Sequence, residues 1–369
     1  MSETVSKRNG EIDLWVFIFS IILFFSHTGK TIGGKTLFAR SYLVVDFFLF
    51  LAGYWLANRI RTDMRSGSLT PTDCLMRRTL SVFYKAFFAS FIIGFLCTEI
   101  TEKTPILTML KNLMLSTHEI GLSRMYGLNI LQDFNVPTWF FSALLIAFVL
   151  LYPLGKKYRR PFFTVACPVI ALSCYAYLLQ TFHTINVRED VSLGNFVLAG
   201  VLRAIADVSL GMFLNECCAL VQEKGFRPSR FASFVFFVCK ALCLALIFFY
   251  FNIAKKYRWG KKMDFILAFF LLLFCFLVLS ELTGFKKLFR TDRFSVLSKI
   301  SLYLFLSVGI AEKIVLSVCT KENPGRNLLI YAILTIAVML LCRVLVLSFD
   351  FFGKRVFPKI KSIMFEKTT

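Results

Sequence analysis

The stretch EIDLWVFIFSIILFFSHTG, Glu11 to Gly29, holds its charged residues, Glu11 and Asp13, at one end. It then stays apolar for nearly the roughly 20 residues that cross the hydrocarbon of a bilayer. Lys7 and Arg8 precede it, as basic residues precede a secretory leader, but no small-x-small cleavage site follows, so the stretch is expected to remain as an anchor. That reading extends to the rest of the chain.

Of the 369 residues, 57% are hydrophobic, 44 are Phe and only 18% are charged. With a mean hydropathy of +0.69, this excludes a disordered chain, a disulfide scaffold and a water-soluble two-domain enzyme. Nine Pro and 19 Gly are too few for low-complexity linkers, and no internal period marks a solenoid or propeller. The 11 Cys fall mostly inside apolar runs, among them Cys97, Cys167, Cys174, Cys239, Cys243, Cys275 and Cys342. They lack the CxxC or Cys/His spacing of a metal site, so no metal is expected and they read as small core residues.

Apolar runs predict an all-α, polytopic membrane protein of about ten transmembrane helices. Their limits are 12–28, 40–58, 79–98, 137–155, 161–182, 194–214, 232–254, 263–282, 294–319 and 327–350. They form one domain over 1–369, with short ends at about 1–11 and 351–369. In the long connection between 99 and 136, the 104–117 stretch is expected to lie on the membrane surface.

The net charge of +21 reads first as topology. With the N-terminus cytosolic, more than half of the basic residues fall in inside segments, including Arg59, Arg61, Arg65, Lys156, Lys157, Arg159, Arg160 and the tail from Lys354 to Lys367. The positive-inside rule then places both ends in the cytosol, and the absence of N-x-Ser/Thr sequons points to a bacterial plasma membrane. The loop carrying Lys255, Lys256, Arg258, Lys261 and Lys262 runs against it. Anionic membrane lipids account for most of the basic excess, and without a soluble basic domain no nucleic-acid partner is expected.

Charges within spans are costly and mark paired or functional positions. They are Asp46, Lys85, Arg203, Asp207, Lys240, Glu312, Lys313 and Arg343. Arg203 and Asp207, four apart, would neutralise each other on one helix face. Asp46, between Val45 and Phe47, needs a cation from another helix. His27 closes the first span, where an imidazole suits proton removal from a hydroxyl and its return to a leaving group. A structural role is the plain alternative for His27, and the favoured one for His118 and His183 in predicted loops.

The opening Glu11–Gly29, followed by LVVDFFLFLAGYWLANRI from Leu43 to Ile60, resembles the start of the integral-membrane acyltransferase 3 family. That family includes bacterial O-acetyltransferases of surface polysaccharides. Its E-I-D-x-L opening leads to a histidine, and its next helix reads like V-D-F-F-F-x-L-S-G-[FY]. Weaker matches are the basic pair Arg77 and Arg78, TWFFSALLIAFVLLYPL from Thr138 to Leu154, LRAIADVSLGMFL from Leu202 to Leu214, and KISLYLFL from Lys299 to Leu306. The chain departs from the family at Val16, where an Arg or Lys is usual, at Ser81 in place of a second basic residue, at Ala52 in L-S-G, and at Val308, where a late histidine is usual.

The resemblance implies transfer of an acyl group, most often acetyl from acetyl-CoA, to a hydroxyl of a glycan or lipid-linked sugar, with no bound cofactor. His27 would be the general base and Asp46 would orient it. Arg77, Arg78 and Arg203 would contact donor phosphates, and Tyr54 and Trp139 would line an acyl or sugar channel. Two alternatives stay open. A flippase of lipid-linked glycan would line a route with the intramembrane charges. A non-catalytic family member would fit Val16, Ser81 and Val308. The oligomeric state is not legible.

Overall fold

The computed structural model describes residues 9–28, 38, 40–66, 80–101, 139–185, 192–193, 197–226, 228–252, 260–283, 293–318 and 323–365. They form α1 (Gly10–His27), α2 (Val44–Ser66), α3 (Leu80–Thr101), α4 (Trp139–Pro161), α5 (Cys167–Phe182), α6 (Ala199–Glu223), α7 (Arg230–Asn252), α8 (Gly260–Leu279), α9 (Arg293–Val318) and α10 (Pro324–Phe365). Each helix overlaps one expected span, so the chain is an all-α polytopic membrane protein. Among the described residues, seven helical stretches are long and apolar enough to cross a membrane, and Met263–Leu279 is a shorter apolar one.

Three boundaries differ from expectation. The path from α4 to α5 runs as one 40-residue apolar stretch, Ala143–Phe182, kinked rather than looped. Tyr158 leaves helical geometry (φ −120°, ψ 21°), Pro161 removes a backbone donor, and one π turn at Phe162–Ala166 restores the helix. The span expected from 194 starts as helix only at Ala199, because Ser192–Leu193 pairs antiparallel with Val197–Leu198 in a two-residue ladder, β1 and β2. Helix α10 continues to Phe365, well beyond its expected limit at 350. The surface segment expected at 104–117 lies outside the described residues.

Helix α1 starts where its sequence provides a cap. The Asn9 side chain accepts the Glu11 amide at 3.0 Å, and its own amide donates to the Val278 carbonyl at 3.0 Å. Glu11 and Asp13 in the first turn complement the helix dipole.

At the centre of the bundle, α2 and α6 run side by side in the same direction. Asp46 meets Arg203 near one end, and Arg61 meets Glu216 near the other. Between these pairs the backbones approach so closely that only glycine fits. A Cβ on Gly211 would overlap the Phe50 carbonyl and fall 2.9 Å from the Gly53 Cα, and a Cβ on Gly53 would overlap the Val208 backbone. Gly211→Ala is therefore expected to lower stability by about 3 kcal/mol, because neither backbone can yield. A thermal midpoint in detergent equal to the parent's would refute this close packing.

Around that pair, α1 lies along α9, and α9 packs on α3 and α10. Helices α7 and α10 are peripheral and expose Phe231, Phe234, Phe249, Ile333, Leu340 and Val344. Such side chains suit contact with lipid tails.

Candidate functional site

His27 is the last residue of α1, and α9 alongside brings Glu312 to it. The imidazole Nδ1 lies 2.9 Å from Glu312 Oε2, with 25% of the His27 side chain and 9% of the Glu312 side chain exposed. This couples a buried carboxylate to one ring nitrogen and leaves the other, Nε2, on a ring still in reach of a ligand. A carboxylate on Nδ1 fixes the ring orientation and stabilises an imidazolium when Nε2 takes a proton.

The floor of the site is apolar. Val308, Ala311 and Val315 of α9 form a small cluster with Tyr331 of α10 and Phe24 of α1. Val308, where the family pattern has its late histidine, is wholly buried one turn before Glu312. Val16 is buried in a second cluster with Ile12 and Phe19, so the position of the family's cation is here an apolar contact.

Asp46 does not orient His27. The Phe47 ring beside it packs on Phe19 at 4.5 Å, and Phe19 precedes His27 by about 12 Å of helix. Asp46 is instead completely buried against Arg203, whose Nε lies 2.6 Å from Oδ1. Arg203 also donates to the Tyr42 carbonyl at 3.2 Å, and Asp207 accepts the Tyr175 hydroxyl. The guanidinium of Arg203 thus serves Asp46 across the helices as well as lying near Asp207 on its own helix, because the approach of α2 to α6 brings the Asp46 carboxylate to it.

A second buried group adjoins it. Asp264 accepts from Tyr42 (2.9 Å), Tyr250 (2.6 Å) and Thr184 (2.8 Å), while Arg40 donates to the Tyr250 hydroxyl at 2.9 Å. Together these groups tie the segment before α2 to α5, α6, α7 and α8. Sequence reasoning passes over Arg40 and Asp264 because both stand at the edges of apolar runs, where a charge looks solvated.

At the opposite end, Arg61 pairs with the buried Glu216, and Arg160 donates to Glu223 at 3.0 Å. Lys156, Lys157 and Arg159 lie at the same α4–α5 corner. Elsewhere Lys240 is buried against Glu11 (2.6 Å), Lys85 pairs with Asp350, and Arg343 donates to the Tyr303 hydroxyl at 3.1 Å.

Of the other expected site residues, Tyr54 is half-buried in mid-α2 and its carbonyl accepts the Asn215 side chain at 3.0 Å. Trp139 opens α4, and its side chain is outside the description. Arg77, Arg78 and His118 lie outside the described residues. His183 caps α5 in the left-handed conformation (φ 57°) and is exposed. Among the described residues no group of three or more His, Cys, Asp or Glu could hold a metal ion.

Glu312 is what the sequence reading leaves unassigned. One signal points to it: it follows Val308 by four residues, and so shares a helix face with the position of the family's late histidine.

A family model described as an acyltransferase domain matches residues 14–347 of the chain. No curated protein and no solved structure shows significant similarity to it.

Proposed function

The chain belongs to this acyltransferase family, and from that premise we propose that it is an O-acyltransferase with His27 as general base. It takes an acyl group, acetyl in the simplest case, from acyl-CoA to a hydroxyl of a cell-surface glycan or lipid-linked sugar. The 2.9 Å pairing of His27 with Glu312 carries the reading, because it activates the nitrogen that faces away from the carboxylate.

In the proposed reaction Nε2 removes the hydroxyl proton as the acceptor oxygen attacks the thioester carbonyl. The C–O bond forms, the C–S bond breaks, and the imidazolium returns the proton to the departing thiolate. Glu312 holds the ring and balances its transient charge.

The donor enters from the end opposite His27. Arg203 is occupied by Asp46, so the exposed basic corner around Lys157, Arg159 and Arg160 suits first contact with the donor phosphates better. The 18 residues of α1 rise about 27 Å, farther than an extended pantetheine arm reaches, so the donor moves from that corner into the bundle before its thioester meets His27. A bacterial plasma membrane and a glycan acceptor follow from the family resemblance, and contact with anionic lipids from the basic excess.

Family membership weighs against the flippase, and the presence of His27 with Glu312 paired to it weighs against a non-catalytic member. Purified protein given labelled acetyl-CoA and extracted cell glycans is expected to place label in an alkali-labile ester. Glycan crossing a sealed vesicle unmodified, with no ester formed, would overturn the assignment in favour of transport.

A further inference from the structure

Tyr331, two turns into α10, occupies an apolar slot. Its ring stacks on Phe24 at 4.7 Å between centroids with 25° between planes, and the whole side chain is buried against Val308, Ala311 and Val315. Phenylalanine would fill that slot at no polar cost. The hydroxyl instead is buried and makes no hydrogen bond of good distance and angle among the described residues, with the Thr335 side chain beside it. The hydroxyl of Thr335, one turn on, donates to the Tyr331 carbonyl at 2.8 Å. The Glu312 carboxylate lies within electrostatic reach of the phenol.

A phenol buried without a well-formed hydrogen bond is destabilising, and such groups in native proteins call for an explanation beyond packing. Catalytic hydrogen bonds are often unmade without ligands and tighten when substrates are seated. Phe24 lies three residues before His27 and Val308 four before Glu312, so the Tyr331 ring touches both helices that carry the pair.

We propose that Tyr331 is a positioning residue: when substrates bind, its hydroxyl donates to Glu312, directly or through one water, and holds that carboxylate on Nδ1 of His27. This rests on the reading of His27 as the base. The phenol acts through Glu312, since its burial keeps it from the substrate. Groups that support a ligating or catalytic His in this way typically contribute 10–100-fold.

Tyr331→Phe keeps the ring and the stack, so its thermal midpoint is expected to equal or exceed the parent's. Its kcat is expected to fall about tenfold with KM for acyl-CoA unchanged. A second readout needs no turnover. In a chain with His118→Gln and His183→Gln, nitrogen NMR of His27 with a non-transferable acyl-CoA analogue bound is expected to show the Nδ1–H tautomer, and a tautomer mixture once Tyr331→Phe is added. Unchanged kcat together with an unchanged tautomer would overturn the proposal. So would impairment seen in Tyr331→Leu but not in Tyr331→Phe, which would assign the residue to packing. If transfer survives in His27→Ala while the tautomer still responds to Tyr331→Phe, the base assignment fails and the positioning role stands.

Discussion

His27→Ala is expected to lower kcat for acyl transfer by about 10²–10⁴-fold, the usual contribution of a positioned general base. The KM for the donor should change little, because the ring acts on the proton of the acceptor hydroxyl rather than on the donor phosphates. Folding should persist, since the His27 side chain is one-quarter exposed and its bond to Glu312 spans only two helices. Glu312→Gln is expected to cost less, about 10–100-fold, because the amide can still hold the ring but no longer balances an imidazolium. In His27→Ala the second change should then add almost nothing, since Glu312 acts through the ring it holds. Initial rates over a range of acyl-CoA, alongside thermal midpoints, read all of this. Transfer at the parental rate in His27→Ala would remove the base.

The helices were legible because a bilayer demands long apolar runs, and the order and approximate limits of ten of them could be read from hydropathy alone. The partners of the intramembrane charges were not, since pairing depends on which helices touch and at what height. Arg203 illustrates the point. Its i+4 neighbour Asp207 is the natural partner within one helix, yet the contact of Gly53 and Gly211 brings α2 so near that Asp46 takes the guanidinium. The same geometry decides His27. The sequence marks it through the family opening and offers Asp46 as its acid, and Glu312 emerges only when α9 is placed along α1 and Phe47 is seen to pack two turns below the imidazole. Hydropathy also misjudges the ends of elements. Arg40 and Asp264 look like solvated edges, although both are buried in the polar group that fixes the start of α2.

Arg203→Met is expected to destabilise the protein by about 3–5 kcal/mol, because it strands Asp46 as a buried, uncompensated carboxylate beside Asp207. Little monodisperse protein should survive solubilisation. The double change Asp46→Leu with Arg203→Met removes one charge of each sign, so the balance among Asp46, Asp207, Asp264, Arg40 and Arg203 is unchanged. Replacement of a whole buried pair by apolar side chains is often neutral or stabilising, and the double variant is expected to recover part of the lost thermal midpoint, the remainder being the positive charge that Asp207 loses with Arg203. A single variant as stable as the parent, or a double no better than the single, would show that the pair does not tie α2 to α6. The double variant also decides the role that the sequence alone gave to Arg203. If the guanidinium served donor phosphates, the recovered protein would fold but bind acyl-CoA more weakly. The burial of Arg203 against Asp46 instead leads us to expect a donor KM close to the parent's, with the loss of affinity falling on Arg159→Gln and Arg160→Gln at the other end of the bundle.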